Sequence, residues 1–213
     1  GEITGLDSSE NSAPYPAAVF NRGTFNLCGG KITGNKSHAV YNENATMNLY
    51  GGEISGNDTT YTDASAGAAV VLVSGSTLNM SGGTIKDNIS NTLGGGVYVK
   101  GLQSRSSTMN FSGGEISGNR VNSTNDDLGF DGGGGVYVDL YATLDLSGTA
   151  RISGNYACAV DYKESATFGG GFGGGVYVAG TFDMRGGEIC GNFAGLANYK
   201  NKYGNDDRRG GDG

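Results

Sequence analysis

TMNFSGGEISGN, residues 108–119, is one copy of a unit that recurs along this chain of 213 residues. The other full copies are TFNLCGGKITGN (24–35), TMNLYGGEISGN (46–57), TLNMSGGTIKDN (77–88), TLDLSGTARISGN (143–155) and TFDMRGGEICGN (181–192), and the truncated copy GEITG (1–5) opens the chain. A second short apolar piece precedes each full copy: AVFN (18–21), AVYN (39–42), VVLV (70–73) and GVYV (96–99, 135–138, 175–178). Repeats of this kind indicate stacked structural units, so they decide the fold.

Apolar and polar residues alternate within each copy, which is the pattern of a β-strand with one buried face. Aligning the copies gives four predicted inward columns. They are Phe25, Met47, Leu78, Met109, Leu144, Phe182; Leu27, Leu49, Met80, Phe111, Leu146, Met184; Ile32, Ile54, Ile85, Ile116, Ile152, Ile189; and Val40, Val71, Val97, Val136, Val176.

Three short strands per repeat cannot bury their apolar faces alone, but stacked repeats close a continuous core. We therefore predict an all-β fold, a right-handed parallel β-helix of about six full coils plus a partial N-terminal coil. We expect residues 1–213 to form a single β-helix domain that is a fragment of a longer array. Gly-Gly pairs would make the corners between the second and third strands. The Asn that closes the third strand would suit a left-handed turn and would hydrogen-bond to its copies in neighbouring coils.

Composition excludes several classes of function. The chain has 14 Lys and Arg against 21 Asp and Glu, a formal net charge of −7, which argues against nucleic-acid binding. The longest apolar run, residues 66–73, is too short to span a bilayer, so no membrane insertion is expected.

The alternation of GGGVYV (94–99, 133–138, 173–178) with GGEISGN (51–57, 113–119) resembles the right-handed β-helix repeats of bacterial surface adhesins. These repeats belong broadly with pectate-lyase-like β-helices and are similar to polymorphic outer-membrane-type passenger repeats. The resemblance implies an extracellular, cell-surface setting but no particular chemistry, because the matching residues are structural.

Outward positions also form columns from coil to coil. The charged column, Lys31, Glu53, Thr84, Glu115, Arg151, Glu188, is either a ligand-binding stripe or a set of cross-strand pairs that fix register. We favour the cross-strand pairs. The Thr column, Thr24, Thr46, Thr77, Thr108, Thr143, Thr181, leaves ice binding as a lesser option.

A column of Asn residues ends in two adjacent carboxylates, Asp145 and Asp183. This pair is the only pre-aligned candidate for acid/base catalysis or for binding Ca²⁺, and no column of basic residues accompanies it. Two exposed, solvated aspartates are the simpler interpretation. The single histidine, His38, has no partner at catalytic spacing, so we expect no cofactor beyond a possible Ca²⁺ and no enzyme activity.

The best binding candidates are aromatic and loop residues. An outward column, Phe20, Tyr41, Leu72, Tyr98, Tyr137, Tyr177, either binds a ligand or packs ring on ring. Insertions after the closing Asn form an edge of loops, with Tyr61, Phe130, Tyr162, Tyr203, Asp127 and Asp161 as candidate contacts.

The function expected from these features is an extracellular adhesin or structural stalk whose Tyr column and loop edge contact a host or environmental glycan or a surface protein. The alternative is a carbohydrate-active lyase or hydrolase that uses Asp145 and Asp183. End-to-end self-assembly is also open, because cut coil ends expose unpaired strands. Among the three cysteines, Cys158 is the only plausible disulfide partner for Cys190.

Overall fold

The computed structural model is a right-handed parallel β-helix, which confirms the predicted fold class. The structure describes residues 1–8, 15–60, 68–123, 132–159 and 171–196, and no helix occurs within these ranges. The described strands form four parallel sheets, and the strands of each sheet stack in sequence order. We name the sheets by their recurring residues.

The Ile sheet contains β1 (Glu2–Thr4), β4 (Lys31–Thr33), β7 (Glu53–Ser55), β10 (Thr84–Lys86), β14 (Glu115–Ser117), β18 (Arg151–Ser153) and β22 (Glu188–Cys190). The Thr sheet contains β3 (Thr24–Leu27), β6 (Thr46–Leu49), β9 (Thr77–Met80), β13 (Thr108–Phe111), β17 (Thr143–Leu146) and β21 (Thr181–Met184). The Tyr sheet contains β2 (Ala17–Asn21), β5 (His38–Glu43), β8 (Val70–Val73), β12 (Val97–Val99), β16 (Val136–Val138) and β20 (Val176–Val178). The Ile sheet has one strand more than the other two, as the partial N-terminal coil predicts.

Three of the four predicted inward columns are in register and line the core, except that Met184 in the last coil is exposed, while the fourth column contains an error. In the Tyr sheet, Val70 rather than Val71 stacks between Val40 and Val97. Val71 points outward between Tyr41 and Tyr98, and Leu72 is in the core. The one-residue slip arose because all four residues of VVLV are apolar, so alternation does not tell its two faces apart.

A fourth sheet was not predicted. Its strands follow the closing Asn of the later coils: β11 (Ile89–Ser90), β15 (Arg120–Ser123), β19 (Tyr156–Ala159) and β23 (Phe193–Leu196). The sequence placed these residues in the loop insertions. The inward column Ser90, Val121, Ala157 is fully buried. Its small and varied side chains give a weak alternation signal, which explains the omission.

The Gly-Gly corners form as predicted, but the closing turn differs from expectation. At the corner, Gly52 has φ 88°, and a Cβ there would lie 2.8 Å from the carbonyl oxygen of Gly30 in the preceding coil. At the closing turn, the left-handed residue is the Gly before the Asn, as at Gly56 and Gly118, or Asp87 in the third full coil. The Asn itself is not left-handed, so its role lies elsewhere.

That role is a buried ladder of amides, the Asn ladder, which confirms the predicted hydrogen bonding between coils. Its members are Asn35, Asn57, Asn88, Asn119, Asn155 and Asn192. Each Nδ2 donates to the Oδ1 of the next member at 2.8–3.0 Å, as from Asn88 to Asn119 at 2.8 Å. Leu6 occupies the ladder position of the partial coil and donates only its backbone N–H to Asn35.

The three glycines of GGGVYV lie at the corner of the β-helix coil where the fourth sheet meets the Tyr sheet. The first glycine is left-handed, as at Gly133 with φ 68°. A Cβ on the second, Gly134, would lie 2.5 Å from the carbonyl carbon of Tyr156. A Cβ on the third, Gly135, would lie 3.0 Å from Nδ2 of Asn155. The motif therefore lets two pieces of backbone and the Asn ladder approach each other closely.

Candidate functional site

The aromatic column of the Tyr sheet is mostly packed, not exposed. Tyr98 and Tyr137 have only 4% and 6% of their surface exposed. Their rings meet edge to face at 5.6 Å, and Tyr137 stacks on Tyr177 at 4.6 Å. The hydroxyl of Tyr98 donates to Oδ2 of Asp139 at 2.9 Å, and burial raises its pKa above the ordinary value. A ligand in solution thus reaches Tyr177, which is half-buried, more readily than Tyr98 or Tyr137.

The exposed rings lie at the other end of the same column. Tyr15 and Phe20 are 49% and 46% exposed. Both stack on Tyr41, at 4.8 and 5.4 Å between ring centroids. Exposed, pre-stacked rings of this kind can take the flat face of a sugar, because stacking needs little further ordering of the side chains.

The predicted loop-edge contacts lie outside the described residues. They are Tyr61, Phe130, Tyr162, Tyr203, Asp127 and Asp161. They remain predictions.

Asp145 and Asp183 are adjacent in register, as predicted, and a third charged residue joins them. Nη2 of Arg185 lies 3.3 Å from Oδ1 of Asp145 and 3.4 Å from Oδ2 of Asp183. Oδ1 of Asp145 is buried and accepts no hydrogen bond from the described residues, so its contact with the guanidinium is ionic rather than directed. Arg185 is a single basic residue and not a column, because the equivalent positions of the other copies carry no basic side chain. Arg185 follows Asp183 by two residues, a spacing that places both on one strand face.

The rest of that column is an exposed amide ladder. Nδ2 of Asn48 donates to Asn26, Asn79 donates to Asn48, and Asn110 donates to Asn79, at 2.8–2.9 Å. Asn110 thus turns its donor away from Asp145, which leaves Arg185 to compensate the carboxylate.

The charged column of the Ile sheet forms cross-strand ion pairs. Glu53 lies 3.8 Å from Lys31 and 3.2 Å from Lys86. Arg151 bridges Glu115 at 3.7 Å and Glu188 at 3.3 Å. Hydrogen bonds from Ser55 and then Lys86 hold the pKa of Glu53 below its ordinary value. These contacts confirm the pairs that we favoured.

His38 is fully buried beside Tyr41, with 5.8 Å between ring centroids. Its Nδ1 lies 2.7 Å from the carbonyl oxygen of Ala68, so Nδ1 is the donor of a neutral imidazole. Nε2 has no partner among the described residues. Burial lowers the pKa of His38 below 6.5.

We expect this burial to make folding stability depend on pH. The unfolded chain takes up a proton at His38 as pH falls below about 6.5, and the folded chain resists it, so the stability present above that pH is lost below it. Between pH 7.5 and 5.5 the free energy of unfolding should therefore fall further in the wild type than in His38→Gln. Urea titrations of both proteins across this range measure the difference, and parallel slopes would contradict it.

Cys190 is a free thiol whose Sγ accepts a hydrogen bond from Nη2 of Arg151 at 3.1 Å. Cys28 is also free, and exposed. Cys190 therefore forms no disulfide, and the side chain of Cys158, its predicted partner, lies outside the described residues.

Two features are absent from the described segments. No three His, Cys, Asp or Glu side chains there converge into a metal-binding group. The same ranges contain no apolar helix of membrane-spanning length.

Comparisons of the chain with protein-family models, with curated protein sequences and with solved structures gave no match.

Proposed function

We propose that this chain is a rigid segment of an extracellular bacterial surface adhesin, which holds a glycan against its outer face without cleaving it. The setting is supported by the resemblance of the GGGVYV and GGEISGN repeats to those of bacterial adhesins. Rigidity is supported by the hydrogen bonds of the Asn ladder, and binding without cleavage is supported by the ion pairs of Asp145 and Asp183.

Stiffness is supported by ladders that run through the coil stack. Apolar columns fill the interior, and the Asn ladder joins six coils by amide hydrogen bonds inside it. Each coil contacts its neighbours through main-chain pairing, so the segment resists bending as a stalk must.

The observation that carries a binding function over a catalytic one is the contact of Arg185 with both aspartates. An acid/base pair needs carboxylates that can exchange protons with a substrate. Here one guanidinium lies within 3.4 Å of both carboxylates and forms an ion pair with each. The pair behaves as a structural ion cluster on an exposed strand face.

The same arginine keeps a polysaccharide lyase or hydrolase as the second candidate, because a basic side chain does stand beside the two carboxylates. A lyase would use such a group to remove a proton from the sugar. A guanidinium paired with carboxylates retains its own proton, however, so it serves poorly as a base.

The glycan contact is proposed for the exposed rings Tyr15 and Phe20, for Tyr177, and for the loop-edge residues. The buried Tyr98 and Tyr137 would then hold Tyr177 in place, because Tyr137 packs between Tyr98 and Tyr177.

The test is to incubate the protein with a panel of plant, host and microbial polysaccharides, with and without Ca²⁺. Bound protein and new reducing or unsaturated ends are recorded from the same samples. We expect retention on at least one glycan with no new ends, and unchanged retention for Asp145→Asn/Asp183→Asn.

New ends that disappear in Asp145→Asn would replace this proposal with the enzyme. Absence of both retention and new ends would reject glycan contact and favour a stalk or a protein ligand.

A further inference from the structure

One corner of the helix carries a pocket that the repeat pattern does not predict. The corner joins the Tyr sheet to the Thr sheet, and most coils cross it in two or three residues. Between β12 and β13 the chain instead makes an excursion at residues 100–107. The excursion closes on itself through reciprocal backbone hydrogen bonds between Leu102 and Arg105, at 3.2 and 2.9 Å.

The excursion reaches back over the preceding coil. Gly75 has φ 83°, and a Cβ built there would lie 3.7 Å from Cβ of Arg105. Arg105 thereby lines a pocket of about 300 Å³ whose other lining residues are Arg22, Glu43, Asn44 and Ser74. Those residues come from the three preceding coils, so the pocket exists only because the coils stack.

The pocket holds one positive charge in excess. Nε and Nη2 of Arg22 each lie 2.6 Å from Oε2 of Glu43, so these two charges compensate each other. The guanidinium of Arg22 also sits 5.2 Å from the ring centroid of Phe20, which helps to fix its position. Within the described part of the chain, the ion pairs include none to Arg105.

Two polar residues of the pocket adopt a backbone conformation that is unusual for them. Asn44 and Ser74 have φ values of 50° and 58°. Non-glycine residues in the left-handed region cluster at sites that bind ligands, where the surrounding structure holds them. Their side chains offer amide and hydroxyl groups suited to sugar hydroxyls.

We propose that this pocket binds one anionic sugar ring of a glycan, a ring that bears a carboxylate or a sulfate. The acid group pairs with Arg105, and the ring hydroxyls bond to Glu43, Asn44 and Ser74. A guanidinium matches either acid group through paired N–H donors, and the volume suits a single ring. This inference rests on the proposed function, since it names the chemistry of the glycan that the segment holds.

The test titrates the full chain with three hexasaccharides: hyaluronan, which carries carboxylates, carrageenan, which carries sulfates, and neutral cellohexaose. We expect at least one anionic hexasaccharide to bind tenfold or more tightly than cellohexaose, with an affinity that falls as NaCl rises. Arg105→Gln should weaken that binding at least tenfold. The matched control Arg151→Gln, an exposed arginine on the Ile sheet, should change it less than twofold. The two anionic probes separate carboxylate from sulfate recognition.

A second readout does not depend on the variant. The backbone amide resonances of Asn44 and Ser74 should shift during titration of the wild type with the anionic hexasaccharide that binds. Binding that leaves these resonances and the Arg105→Gln affinity unchanged would overturn the pocket while glycan contact stands. Equal affinity for cellohexaose would also overturn it. A chain that retains no glycan in the polysaccharide panel would reject the proposed function and this inference together.

Discussion

Replacing Asn119 with alanine should lower the free energy of unfolding by about 4 kcal/mol, because it breaks the Asn ladder at its centre. The amide is fully buried and makes four hydrogen bonds. Oδ1 accepts from the backbone N–H and the side chain of Asn88, and Nδ2 donates to Ile85 and Asn155. Alanine leaves several of these partners buried without a bond, which costs more than the bonds themselves.

Urea unfolding followed by circular dichroism measures this loss, and the melting temperature should fall on the order of 10 °C. The matched control is Asn110→Ala, the same change in the exposed ladder of the Thr sheet. Asn110 donates to Asn79 on the surface, where water replaces the lost bond, so the cost should stay below about 1 kcal/mol. An equal loss of unfolding free energy in the two variants would show that burial does not determine how much the Asn ladder stabilises the fold.

Replacing Gly134 with alanine should cost about 3 kcal/mol or more, although it adds a single methyl group. The new Cβ would lie 2.4 Å from the carbonyl oxygen of Gly174 and 2.5 Å from the carbonyl carbon of Tyr156. Both atoms belong to backbone of other coil segments, so relief requires neighbouring strands to move apart. The fourth sheet and the Tyr sheet meet at this corner, and the pairing of both would be disturbed together.

Gly23→Ala is the matched control, because nothing lies within 4 Å of a Cβ built there. It should change stability by less than about 1 kcal/mol. Thermal unfolding of the two variants side by side makes the comparison. A mild effect at Gly134 would mean that the GGG corner is looser than its contacts indicate.

Repetition explains why so much of the fold was predictable. Each copy repeats the same alternation, so a residue whose face is ambiguous in one copy can be assigned from the equivalent residues of the other copies. The Ile column needed no further information, since Ile54 and Ile116 stand at the same place in near-identical copies. The Asn ladder followed as well, because identical side chains in stacked coils must become neighbours.

The predicted register was wrong where apolar and polar residues do not alternate. At residues 70–73, Val-Val-Leu-Val presents apolar groups to both faces, so only the coil stack selects Val70 for the core. The fourth sheet was missed for a similar reason, because strands such as Tyr156–Ala159 are short and carry small inward residues.

The candidate site was harder to predict because its parts come from different coils and from positions that do not repeat. Tyr98 and Tyr137 form the predicted column, but whether such a column is exposed depends on what packs over it. The other copies have no basic residue at the position of Arg185, so aligning the copies does not identify it as a partner of the aspartates.

The amino-acid sequence alone determined the coil, its register in most strands, its Gly-Gly corners and the Asn ladder, because these depend on alternation and on like residues meeting like. The tertiary structure alone decided which aromatic rings remain exposed, which cation compensates Asp145 and Asp183, and where Arg105 comes to lie. Those properties depend on distances between residues from different coils. Alternation within a strand carries no information about such distances, because side chains and insertions that do not recur from copy to copy set them.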